Sequence, residues 1–152
     1  MAVPLLDLKA QYKTIKEEVL RVTEEIYESQ VFILGKRVEE FERDFAAYCH
    51  SKHAVGVSSG TDALLIALMV AEIGRDHEVI VPAYSFFATA GVVDRVGATP
   101  VFVDIDLSDY CIDVRKIEQR ITSRTRAIMP VHLYGQAAAM DEISRIAKKH
   151  DL

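Results

Sequence analysis

The sequence predicts an α/β protein built as three layers, a mainly parallel sheet with helices on both faces, preceded by an N-terminal helical segment. Three observations predict it. Beyond residue 54, short wholly apolar runs alternate with stretches that are apolar at every third or fourth position. Runs such as Val79-Ile80-Val81 and Val101-Phe102-Val103 offer no polar face to water, so helices must cover both sides, which calls for parallel pairing through right-handed crossovers. Glycines punctuate the helix ends at Gly74 and Gly97.

Residues 1–9 read as an irregular arm, with Pro4 ahead of Leu5, Leu6 and Leu8. Tyr12, Ile15, Val19, Val22 and Ile26 then recur at steps of three and four among Lys, Glu and Arg, which predicts an amphipathic helix over about 10–29. Val31 to Gly35 interrupts it, either as a hydrophobic staple or buried loop, or as a segment contributing to a pocket or a dimer contact. Val38, Phe41, Phe45 and Tyr48 mark a second helix, about 36–50. A strand over 54–58 follows, then a helix over 61–73 with Leu64, Leu65, Leu68 and Met69 facing inward. The next elements are a strand at 78–82, a helix at 85–96 and a strand at 100–104. Asp113 is the candidate N-cap of a short helix that buries Val114, Ile117 and Ile121. A strand over 125–131 and a last helix through Ile143, Ile146 and Ala147 to His150 complete the pattern. Residues 1–50 are expected to form a helical arm and 51–152 the α/β sheet region.

Half the residues are hydrophobic and 27% are charged, as in globular proteins. The formal charge of −5 is spread without long runs of one sign, so no nucleic acid or anionic membrane partner is expected. The apolar run from Ala63 to Ala71 falls short of the roughly 20 residues of a membrane span, and no signal peptide is visible, which makes a cytoplasmic location the expectation. Cys49 and Cys111 lack metal-ligand spacing and are expected to be reduced, packing cysteines. No metal is expected.

The stretch from Ala54 to Leu65 organises the chain, because it reads as strand, tight turn and helix start. The first N–H groups of a helix have no intrahelical partner and sit at the positive end of its dipole, so a phosphate fits there. Gly60 lets an anion approach the backbone, Thr61 offers a hydroxyl, and Asp62 can cap the next turn; an ordinary N-capped turn is the alternative. Ligand crevices of open parallel sheets lie beyond the carboxyl ends of the strands, which selects the loops at 58–61, 83–87, 104–108 and 132–136. Phe86 and Phe87 could stack on a flat ligand or pack in the core. Asp104 and Asp106 are expected to cap turns rather than hold a cation, and His132 is either a ligand or acid–base group or a hydrogen-bonded structural histidine.

In this order, several motifs resemble the N-terminal part of the DegT/DnrJ/EryC1/StrS sugar aminotransferase family. They are Pro4-Leu5-Leu6-Asp7-Leu8 with Gln11-Tyr12, Phe32-Ile33-Leu34-Gly35 before Val38-Glu39-Glu40-Phe41-Glu42, and Ser58-Ser59-Gly60-Thr61-Asp62-Ala63-Leu64. Glu78-Val79-Ile80-Val81-Pro82, Phe86 with Ala88-Thr89-Ala90, Gly97 to Asp104, and Pro130-Val131-His132-Leu133-Tyr134-Gly135-Gln136 continue the match. The resemblance implies part of the large domain of the aspartate aminotransferase fold, with pyridoxal 5′-phosphate (PLP) as cofactor. It implies that Gly60, Thr61 and Asp62 contact the phosphate and that Phe86 stacks on the pyridine ring. It further implies a nucleotide-linked keto sugar as substrate and an amino-acid donor; burial of the exposed apolar surface predicts a homodimer through the first helix and Phe32 to Leu34, in keeping with the dimeric habit of the family.

Family members continue with an acidic residue for the pyridine nitrogen, a cofactor-tethering lysine and a C-terminal domain, whereas this sequence ends at Asp151-Leu152. None of Lys9, Lys13, Lys16, Lys36, Lys52, Lys116, Lys148 and Lys149 stands in the context such a lysine needs. The expectation is therefore an N-terminal fragment with no catalytic residue of its own, inactive alone. A PLP-dependent sugar dehydratase of the same family, with histidine in place of the lysine, and a noncatalytic regulatory module that binds a phosphorylated ligand remain as alternatives.

Overall fold

The computed structural model describes residues 6–152 and divides into two compact units, the first ending at Gly56 and the second running from Val57 to Leu152. In the first, α1 (Leu8–Ser29) begins two residues before the expected start because Asp7 caps it, its carboxylate accepting the Ala10 N–H at 3.0 Å. It ends where Gln30 turns left-handed, φ 57°. No residue of α1 is buried, and the stripe Tyr12, Ile15 and Val19 keeps 41–43% of its surface. In the loop before α2 (Lys36–Tyr48), Phe32, Ile33 and Leu34 are all exposed, which corrects the buried-loop reading; the Phe32 ring meets that of Tyr27 edge-on, ring centroids 5.6 Å apart. Arg37 ties the segment by bonding both Glu25 and Glu40.

In the second unit, β1 (Glu78–Pro82), β2 (Thr99–Val103) and β3 (Thr125–Ile128) form a parallel sheet in the order β2-β1-β3. Central β1 is buried along its whole length. Side chains alternate across a strand, so Val79 and Val81 join Leu68 of α3 (Gly60–Val70) and Val92 and Val93 of α4 (Ala88–Arg95) on one face. Ile80 points the other way, into Val103, Cys111, Ile112, Ile117, Ala138 and Ile143, the last from α5 (Met140–His150). Two apolar clusters on opposite faces of β1 make the three layers, but the cover expected on both sides of Val101-Phe102-Val103 is incomplete: β2 is an outer strand of the sheet and Phe102 is 49% exposed. At the head of β1 the Glu78 carboxylate is buried but satisfied, accepting the Thr122 hydroxyl at 2.6 Å and the Arg124 guanidinium.

Residues 54–58 are not a strand. An apolar run reports burial, whereas a strand also needs a ladder partner; among the described residues none pairs with this run, and Val55 is 79% exposed. The following helix stops at Val70, and Met69, expected to face inward with Leu64, Leu65 and Leu68, is 61% exposed although it follows Leu65 by four residues. The helix expected from Ser85 starts only at Ala88. The short helix after Asp113 is instead two turns of 3-10 helix, Val114–Lys116 and Glu118–Arg120, although Asp113 caps as expected and Val114, Ile117 and Ile121 pack inward. β3 stops at Ile128 since Pro130, with no N–H, cannot extend a ladder. Both cysteines are free; Cys111 packs in the core, while Cys49 is exposed, which corrects its assignment to packing. No described helix is long and apolar enough to cross a membrane.

Candidate functional site

Parallel pairing brings the carboxyl ends of β1, β2 and β3 to one edge, and two backbone bonds hold the loops leaving it. The Ala83 N–H donates to the Val103 carbonyl and the Met129 N–H to the Ile80 carbonyl, each at 2.8 Å. These loops carry most of the side chains singled out from the sequence.

At the start of α3, Ser59 is the N-cap, its hydroxyl oxygen accepting the Asp62 N–H at 3.1 Å. The Asp62 carboxylate in turn accepts the hydroxyls of Ser58 and of Ser59, the latter at 3.0 Å. These bonds, Ser58's first, hold its carboxyl below the usual range. The turn is thus fixed by its own side chains. Among the described residues, the N–H groups of Gly60 and Thr61 and the Thr61 hydroxyl have no protein partner. A Cβ placed on Gly60 would meet nothing within 4 Å, so the side-chain side of this first helical residue is open. Asp62 differs from its two neighbours here, since its N–H is already committed to the cap.

Phe86 and Phe87 both lie outside the core. Phe86 is 75% exposed. Phe87 does not take the core-packing alternative; it folds its ring over Gly91, where an added Cβ would approach the ring to 2.9 Å. The aspartates act as turn caps. Asp104 accepts the Ile105 N–H at 2.9 Å, and Asp106 accepts the Ser108 N–H at 2.9 Å and hydroxyl at 2.7 Å while pairing with Arg115. Arg115 above all, together with the Lys116 ammonium, lowers Asp113 from 3.8 to about 2 against the opposing effect of burial. His132 makes the hydrogen bond expected of a structural histidine, its Nδ1 accepting the Ala138 N–H at 3.0 Å, while the residue stays exposed. No group of three or more His, Cys, Asp or Glu side chains suited to a metal ion occurs among the described residues.

Three residues that motif reading passed over or left without a role meet at the same edge. The hydroxyls of Tyr84, after β1, and Tyr134, after β3, lie 3.2 Å apart, and the Tyr84 ring stands 6.2 Å from that of Tyr110, after β2. The bond to Tyr134 raises the pKa of Tyr84. The one available signal was a tyrosine in the loop following every strand.

The model of the DegT/DnrJ/EryC1/StrS aminotransferase family matches residues 13–152. The chain belongs to this family. A protein of Geobacillus stearothermophilus named "Pleiotropic regulatory protein" is 51% identical over 152 residues, which is 100% of this chain and 41% of that protein. The dTDP-3-amino-3,6-dideoxy-alpha-D-galactopyranose transaminase of Aneurinibacillus thermoaerophilus is 45% identical over 99% of this chain and 41% of its own length. The crystal structure of NtdA from Bacillus subtilis, with bound cofactor PMP, superposes with a TM-score of 0.93 at 38% identity, over 99% of this chain and 35% of that one. The chain thus spans about two fifths of the length of the curated relatives it matches.

For a member of an aminotransferase family, two of the three lysines of the second unit are already committed to ion pairs. Lys116, which reaches the loop edge, is paired at 3.4 Å with both Asp104 and Asp113, and Lys149 with Glu118 at 2.7 Å. A lysine that condenses with a carbonyl needs instead a desolvated, neutral amine.

Proposed function

We propose that this chain supplies the phosphate seat and one ring-covering face of a PLP-dependent aminotransferase acting on a nucleotide-linked keto sugar. One observation carries the reading: at the N-terminus of α3, two backbone N–H groups and the Thr61 hydroxyl stand without protein partners around a glycine whose side-chain side is open. These donors suit a phosphate ester, and the exposed Phe86 ring suits the flat heterocycle. Gly60 and Thr61 would hold the phosphate by hydrogen bonds, with the bonds of Ser58 and Ser59 to Asp62 keeping the turn in shape. Bound PLP supplies an electron sink that the protein side chains lack. No residue of this chain is given a proton-transfer or covalent role.

The transaminase relative named for a dTDP-linked amino sugar supports the substrate class, with an amino acid as donor, and the PMP bound to NtdA supports the cofactor. The reading includes a cytoplasmic homodimer joined through the exposed stripe of α1 and Phe32 to Leu34. It also keeps residues 1–50 as a helical arm and 51–152 as part of the large domain. A second reading, a noncatalytic module for a phosphorylated ligand, is favoured by the relative named as a regulatory protein.

Titration of PLP into the chain, followed by its absorbance, tests both. Saturable binding that glycerol phosphate displaces only weakly supports the first reading, because Phe86 contributes only when a flat ring is present. Equal affinity for PLP and glycerol phosphate supports the second. Absence of any PLP binding refutes the proposed seat.

A further inference from the structure

We propose that Tyr84, Tyr110 and Tyr134 form a platform for the pyranose ring of the sugar-bearing substrate, an assignment that rests on the aminotransferase reading above. Each tyrosine comes from the loop after a different parallel strand, and together they occupy the carboxyl edge where open α/β sheets bind ligands. All three stay exposed, so packing does not account for their meeting. Tyr110 and Tyr134 also hold left-handed backbone, φ 61° and 54°, which is costly for a bulky side chain.

The chemistry favours a neutral polyhydroxylated ring. One O–H of the Tyr84 and Tyr134 pair is used between them, which leaves a free O–H donor and several acceptor lone pairs, a set that suits neighbouring sugar hydroxyls. The rings offer apolar surface to the C–H face of a pyranose. The Tyr84 and Tyr110 rings are tilted by 50°, so they form no parallel slot for a nucleobase. Arg115 and Lys116, which follow Tyr110 in the chain, are paired with Asp106, Asp113 and Asp104, so neither offers a free charge to a pyrophosphate.

Saturation-transfer NMR on the PLP-supplemented chain tests the assignment, with dTDP-glucose as the probe and dTDP as the control. Protons of the glucose ring are expected to receive more saturation than the thymine methyl or the ribose. Tyr84→Phe and Tyr134→Phe are each expected to weaken dTDP-glucose about fivefold while leaving dTDP and PLP affinity unchanged. Tyr110→Ala is expected to cut the glucose-ring signal selectively. Dominant thymidine saturation, no saturation in a chain that takes PLP, or unchanged affinity in variants that keep the parent circular dichroism overturns the platform. Glucose-ring saturation in a chain that fails to take PLP supports the platform and overturns the cofactor reading instead.

Discussion

Replacing Gly60 by alanine separates the fold from the anion seat. Gly60 is the first residue of α3, is not among the left-handed glycines, and has nothing within 4 Å of an added Cβ, so the methyl group enters without displacing protein. Alanine is the better helix former, by up to about 1 kcal/mol in a helix interior and less in the first turn. A gain of about 0.5 kcal/mol raises Tm by roughly 1–2 °C in a domain of this size. The same methyl takes up the space through which a phosphate would reach the Gly60 and Thr61 N–H groups. Loss of one hydrogen bond to a charged group costs about 1.5–3 kcal/mol, or roughly 10- to 150-fold in the Kd for PLP. Absorbance titration with PLP and thermal melts on the same samples read the two effects separately. A Kd within twofold of the parent refutes the seat, and a Tm lowered by several degrees refutes the open geometry at Gly60.

Asp113→Asn keeps a side-chain oxygen for the cap but removes the charge. Folding lowers this carboxyl from 3.8 to about 2, so its contribution is present above about pH 4 and is lost as pH falls through the folded value. Solvent around the exposed Arg115 trims that contribution to about 1 kcal/mol; in urea denaturation the variant should be weaker by that amount at pH 7 and equal to the parent near pH 2, and a deficit that ignores pH contradicts the account. Glu78→Ala removes the acceptor of Thr122 and Arg124 and should cost about 2 kcal/mol by urea denaturation, with PLP affinity untouched because Glu78 sits at the far end of β1 from the loops. Joint replacement of Ile33 and Leu34 by serine should convert a concentration-dependent dimer into a monomer in sedimentation equilibrium; a parent chain that is monomeric at all concentrations refutes the proposed contact.

Local pattern determined a good part of this molecule. The runs through Val79 and Val101 were legible as strands from their apolarity, but only central β1 is buried along its whole length, whereas β2 leaves Phe102 49% exposed. The glycine turn ahead of α3 was recognisable as a helix start for the equally local reason that capping and chain reversal involve near neighbours. Pairing and direction were decided by tertiary structure. The run at 54–58 has the composition of a strand but no ladder partner among the described residues, Met69 has the apolarity of a core residue but is left exposed, and Phe87 lies over Gly91 rather than in the core. Tyr84, Tyr110 and Tyr134 are remote from one another along the chain, and no periodicity links them. They meet only because three parallel strands end at the same edge, a long-range consequence of sheet order that hydrophobic spacing does not encode.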